Sequence, residues 1–100
     1  MCDYLIFNVK GNSMYPTLKN GDIINIKKID DDDIIDLNDL VIFNHPFKED
    51  YKLIKRVTKI KNKINLFVEG DNKDILSSDD SHNFGFITKK EIIGIKKGIK

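Results

Sequence analysis

Short runs of β-branched and aromatic residues, each stopped by polar punctuation, organise this chain, and helical periodicity is weak. Residues 4–10 read as a first strand that ends at Gly11-Asn12. Residues 22–29 read as a second, entered through Asn20-Gly21, a strong turn dipeptide. The acidic run Asp30-Asp31-Asp32-Asp33 interrupts it, and Leu40-Val41-Ile42-Phe43 makes a third. Residues 51–60 and 63–68 flank Lys61-Asn62, the pattern of a hairpin between two longer strands. Residues 70–83 are polar and irregular, and 92–95 form a last strand interrupted by Gly94. Several short strands in so small a chain predict a mostly β fold, either compact coiled antiparallel β-sheets or a partly open barrel. No internal repeat or linker divides the sequence, so a single domain over residues 1–100 is expected.

Composition narrows the partners. With 100 residues the chain has room for one core, burying about 60–65% of the surface its unfolded form exposes. Hydrophobic residues make up 40% and charged residues 33%, and the net charge is +1. That balance argues against nucleic acid, because no excess of cations is present to displace counterions. Arg56 is the only arginine, and lysine cannot offer the bidentate fork that reads guanine edges. Cys2 is the only cysteine, so no internal disulfide can form. No stretch approaches the roughly 20 apolar residues that cross a bilayer, and Asp3 directly precedes Tyr4-Leu5-Ile6-Phe7 where a secretory leader would be basic and then apolar. The expectation is a cytoplasmic monomer without a transmembrane segment. Lys96, Lys97 and Lys100 would touch an anionic membrane only weakly, at about 1 kcal/mol per cation, and read better as a soluble tail. The run at 30–33 lacks the spaced ligands and turn glycine of a calcium loop and reads as a solvated connection. No metal and no cofactor are expected.

Ser13 follows a strand and Gly11 and precedes Pro16. Gly11 permits a tight backbone path, and Pro16 restricts Tyr15 to extended geometry, so the segment cannot simply become a helix at Ser13. A serine at such a corner presents its hydroxyl, and nearby backbone N–H groups can point at a carbonyl oxygen. Those are the parts of an acyl-transfer site. Taken alone, a turn serine is more often structural, and local chemistry leaves that alternative open. His45 and His82 have no carboxylate orienter at a fixed sequence spacing, which makes them poor bases. Lysine can serve as a base only when desolvation lowers its pKa by several units. The two-residue strand period puts Tyr51, Leu53, Lys55 and Val57 on one face. A lysine flanked by apolar residues on its own face either snorkels or is buried. Because Ile54 and Ile60 make the opposite face partly apolar as well, periodicity leaves open which face is inside.

Taken together these residues resemble the signal peptidase I family of serine–lysine proteases. Gly11-Asn12-Ser13-Met14-Tyr15-Pro16-Thr17-Leu18 resembles its serine box, followed by Asn20-Gly21-Asp22. Asn38-Asp39-Leu40-Val41-Ile42-Phe43 resembles the strand before the base, with asparagine where glycine is usual, and Lys55-Arg56-Val57 resembles the lysine box. Gly70-Asp71-Asn72 and then Ser78-Asp79-Asp80-Ser81-His82-Asn83-Phe84-Gly85 resemble the last box. The resemblance implies coiled β-sheets and a serine endopeptidase. Ser13 would be the nucleophile, Lys55 the general base, Ser78 a serine that orients the lysine, and Asp80 a structural acid paired with Arg56. Gly11, Asn12 and Met14 would line the oxyanion and substrate site, with the Ser13 N–H as one donor. Gly11 stands where some members carry a serine that supplies the second donor, and His82 stands where arginine is usual. The expected partner is a protein or peptide precursor with an N-terminal extension. Without the family's membrane helix and large inserted β-domain, the chain resembles the small maturation peptidases of nickel-type superoxide dismutase.

Two other readings share parts of this pattern. A self-cleaving peptidase of the SOS-repressor type uses similar serine and lysine boxes but needs a scissile bond in its own chain, commonly Ala-Gly or Cys-Gly. This sequence has no alanine and no Cys-Gly. A catalytically dead binding module on the same fold would show decay in the last box, and His82 is a small step in that direction.

Overall fold

The computed structural model describes residues 3–73 and 79–97. Among them the strands are β1 (Tyr4–Asn8), β2 (Ile23–Lys28), β3 (Leu40–Asn44), β4 (Lys52–Lys61), β5 (Asn65–Glu69), β6 (Ile87–Thr88) and β7 (Ile92–Lys96). A one-turn helix, α1 (Ser81–Phe84), precedes β6, and a 3₁₀ turn at Lys89–Glu91 follows it. The strands form one antiparallel sheet in the order β1-β2-β7-β3-β4-β5-β6. The expected mostly β, coiled antiparallel fold is what forms. The sheet is not closed into a barrel, since β1 and β6 remain its edges.

The centre of the sheet is covered on both faces, and β3 shows why its sequence is an unbroken apolar run. Leu40 and Ile42 enter one cluster with Val9, Met14, Leu18, Ile26 and Ile54. Val41 and Phe43 enter another with Val57, Val68, Ile87 and Ile95. Alternation along the strand therefore sends every second residue to a different core, and none can be polar. Truncating the fully buried Phe43 to alanine removes about 3–5 kcal/mol. Gly94 has a similarly local reason. A Cβ there would lie 2.5 Å from Ile26 Cγ2 and 3.0 Å from the Lys27 carbonyl, so glycine is what lets β7 approach β2.

Several local expectations change. The β4–β5 turn falls on Asn62 and Lys63, both left-handed at φ 56° and 65°, one position later than the sequence pattern placed it. A bulge at Thr58 shifts the β4–β5 register between Val57 and Lys59. Within the stretch read as irregular, Asp80 caps α1, its carboxylate accepting from the His82 N–H at 2.9 Å. The acidic run is more than a solvated loop. Lys27 Nζ binds the carboxylates of Asp33 and Asp30, and Lys89 Nζ donates to the carbonyls of Asp31 and Asp33 at 3.1 and 2.7 Å. Nor is Lys97 part of a loose tail, because its ammonium lies 2.8 Å from Asp39 and 3.1 Å from Asp36.

Candidate active site

Ser13 is carried by the loop between β1 and β2, which is fastened at both ends. Across its neck the Gly21 N–H donates to the Val9 carbonyl and the Val9 N–H donates to the Asp22 carbonyl, each at 2.8 Å. Gly11 adopts φ 80°, and its N–H donates to Asn20 Oδ1 at 2.8 Å. Met14 and Leu18 anchor the loop in the core, Met14 at 1% exposure. The Tyr15–Pro16 peptide bond is cis. Ser13, between these anchors, faces a cleft of about 270 Å³ lined by Phe7, Val9, Tyr51, Leu53 and Lys55 among others.

Lys55 reaches the same point from β4, where it pairs with Val41 of β3. The question left open by periodicity is answered by two-sided packing. Ile54 belongs to one cluster and Val57 to the other, and Lys55 between them is 2% exposed. Its Nζ lies 2.6 Å from Ser13 Oγ, which among the described residues is its hydrogen-bond partner. Burial pushes the Lys55 amine below the usual lysine range, and the negative charges of Asp80 and Asp79 offset only part of that. A lysine that sheds its proton more readily, in contact with a hydroxyl, can accept that hydroxyl's proton.

The segment just after β5 stitches the two sides together. Asn72 N–H donates to the Ser13 carbonyl at 2.9 Å, and its Nδ2 donates to the Asn12 carbonyl at 2.7 Å. Asp71 receives Arg56 Nε and Nη2 at 2.8 Å each, together with the Thr17 hydroxyl. Burial alone raises the Asp71 carboxyl, but the bonds from Arg56 and Thr17 outweigh it and hold it below the usual carboxylate range. Arg56 also donates to the Asn38 carbonyl at 2.7 Å. Asn38 sits at φ 74°, a left-handed conformation that asparagine tolerates and glycine adopts freely.

One expected pairing changes. The partner of Arg56 is Asp71 and not Asp80, because Asp80 is turned to cap α1, to the Gly70 N–H at 3.4 Å and to His82 Nδ1 at 3.0 Å. Met14 keeps its side chain in the core. His82 Nδ1 lies 3.0 Å from Asp80, and Glu69 lies 3.6 Å from its other ring nitrogen. Ser78 lies outside the described residues. Sequence reasoning passed over Asp71 and Asn72 as site residues, although the Gly70-Asp71-Asn72 match was the signal that could have named them. Among the described residues no group of three or more His, Cys, Asp or Glu side chains is placed to hold a metal ion. Likewise, no described helix is long and apolar enough to cross a membrane.

The sequence model of one family, described as signal peptidase, peptidase S26, matches residues 3–61. The chain belongs to that family. The matched span is more than half of the chain and contains both the Ser13 loop and Lys55, so it joins a family of peptidases to the two residues that touch in the cleft. It stops short of the 70–85 stretch, whose link to the site rests on the bonds made by Asp71, Asn72 and Asp80. No curated protein matches the chain. As a member of peptidase S26 the protein is a peptidase of the signal peptidase kind, and its substrate class is protein.

Proposed function

We propose that the protein is a serine endopeptidase in which Ser13 and Lys55 act as a dyad, removing an N-terminal leader or pro-segment from a partner protein through an acyl-enzyme. The observation that carries this reading is the 2.6 Å contact between Ser13 Oγ and the amine of a lysine with 2% exposure. Ser13 Oγ attacks the scissile carbonyl carbon while its proton passes to neutral Lys55 Nζ. The tetrahedral intermediate collapses, the C–N bond breaks, and Lys55 returns the proton to the departing amine. Neutral Lys55 then takes a proton from water, whose oxygen attacks the ester and releases Ser13. The Ser13 N–H serves as one oxyanion donor. Gly11 has no side chain to supply the other and its N–H is held by Asn20, so the amide of Asn12 is the adjacent side-chain candidate. Ser78 is assigned, on the family resemblance, to orienting Lys55.

The cleft suits an extended peptide. β1 is an edge strand, and β4 pairs with β5 only from Arg56 onward, so residues 52–55 present a second open edge across from it. A substrate strand laid between them could bond to both. Ser13→Ala and Lys55→Ala should each abolish cleavage of precursors bearing N-terminal extensions, the nickel-type superoxide dismutase precursor among them, while circular dichroism stays that of the folded protein. Undiminished cleavage by either variant would end the dyad assignment.

A further inference from the structure

The Ser13–Lys55 reading leaves one buried ionisable ring unused. His45, which follows β3, is 8% exposed, and its ring packs against Tyr51 and Phe84 at centroid distances of 5.8 and 5.1 Å. Tyr51 also lines the cleft, so His45 forms the layer directly behind the cleft wall. Both ring nitrogens are engaged. Nδ1 accepts the Phe47 N–H at 3.0 Å, which places the proton of the neutral ring on Nε2, and Nε2 lies 3.0 Å from Asp79 Oδ2. The other Asp79 oxygen accepts from Asn83 Nδ2 at 3.1 Å. Burial works against the Asp79 charge, but the bonds from Asn83 and His45 prevail and keep its carboxyl below the usual range.

We propose that His45 is a positioning residue for the Ser13–Lys55 pair, acting by anchoring the Asp79 carboxylate in the layer behind the cleft wall. The inference rests on the dyad reading of the site. Asp79 immediately precedes Asp80, which bonds to the Gly70 N–H, and the next residues, Asp71 and Asn72, hold the Ser13 loop. A ring 34 residues away in sequence thus holds the 79–80 segment, whose Asp80 in turn bonds to the Gly70 N–H. The charged groups that act on Lys55 are Asp80 and Asp79. Those around His45 and Asp79 are Lys48, 3.5 Å from Asp79 Oδ2, and the phenol of Tyr51. Anchored in this way, the Asp79 charge favours the protonated amine and keeps the base from becoming too weak a proton acceptor.

The test is a double-mutant cycle read by the Lys55 amine titration, followed by NMR of its side-chain nitrogen in the full chain, which needs no substrate. Asp79→Asn should lower the midpoint by about half a pH unit, the scale expected of one partly solvated charge nearby. His45→Phe should lower it in the same direction and add nothing in the Asp79→Asn background. His45→Gln, which keeps a donor for Asp79, should restore the wild-type midpoint. If His45→Phe does not fold, the Asp79→Asn and His45→Gln titrations decide the matter. An unmoved midpoint in Asp79→Asn, or a His45 effect that persists without Asp79, overturns the proposal. Loss of the dyad reading would show differently, as cleavage that survives Ser13→Ala.

Discussion

Lys97, just past β7, sets its ammonium 2.8 Å from the buried Asp39 and 3.1 Å from Asp36, while Lys55 on β4 has the Ser13 hydroxyl at 2.6 Å. The hydrogen bond to Asp39 leads a set of contacts that raise the Lys97 pKa above the ordinary lysine value, whereas burial lowers that of Lys55. The side chains are chemically the same, so environment alone separates a clasp from a candidate base. A carboxylate in contact holds the proton on the amine. An apolar wall with a hydroxyl in contact loosens it. Arg56, next to Lys55 along the strand, sits on the clasp side of this contrast through Asp71.

The contrast breaks most visibly if the candidate base is given a permanent charge. Lys55→Arg should reduce kcat/KM for precursor cleavage by about a thousandfold or more, since arginine keeps its proton at neutral pH. Activity within tenfold of the parent would mean that a neutral amine is not required. In the parent enzyme, kcat/KM should fall as pH drops through the lowered Lys55 pKa and hold above it until other groups titrate.

Next in size is the paired neighbour. Asp71→Asn should cost about 2 kcal/mol in urea denaturation, because it removes charge-assisted bonds to a mostly buried guanidinium. The Asp71 pKa is depressed in the folded state, so its contribution is fully present above the ordinary carboxylate value and disappears as pH falls through the folded one. A parent-to-variant difference that stays constant from neutral pH down to pH 2 would contradict the pairing.

Lys55→Met sharpens the other side. Replacing a desolvated amine with an apolar chain of similar shape should stabilise the fold by about 1 kcal/mol at neutral pH while abolishing cleavage. The gain should shrink as pH rises toward the ordinary lysine pKa. The unfolded chain binds a proton that native Lys55 binds less readily, and this difference closes once both are neutral. A variant less stable than the parent at neutral pH would show that Lys55 supports the fold.

The smallest effect belongs to Lys97. Its side chain is 58% exposed, and Lys97→Ala should cost only about 0.5 kcal/mol, as is usual for pairs reached by solvent. With a raised folded pKa, that contribution is complete below the ordinary lysine value and lost as pH rises through the folded one. A loss of several kcal/mol in denaturant titrations would move Lys97 from clasp to keystone.

Strand positions, the mostly β class and the pairing of Ser13 with Lys55 as candidates were legible in the sequence, because alternation, turn dipeptides and box motifs are local in the chain. Even so, bulges and turns moved by a residue. Asn62 and Lys63 take the left-handed positions one step later, since the Thr58 bulge resets the register that a simple alternation assumes. Whether Lys55 snorkels or is buried depended on a second layer over β4, supplied by residues far away in the chain. The same holds for the acid that binds Arg56. The motif pointed to Asp80, whereas Asp80 caps α1 and the guanidinium goes to Asp71. The pairing of His45 with Asp79 carried no signal, because 34 residues separate them and no local period links the end of a strand to the start of a helix. The sequence by itself determined which residue types were available for the chemistry and which segments would be strands, apart from the two-residue β6. Tertiary structure decided the direction in which each amine's pKa moves, since that depends on which groups long-range packing brings within a few ångströms and on how much water it removes.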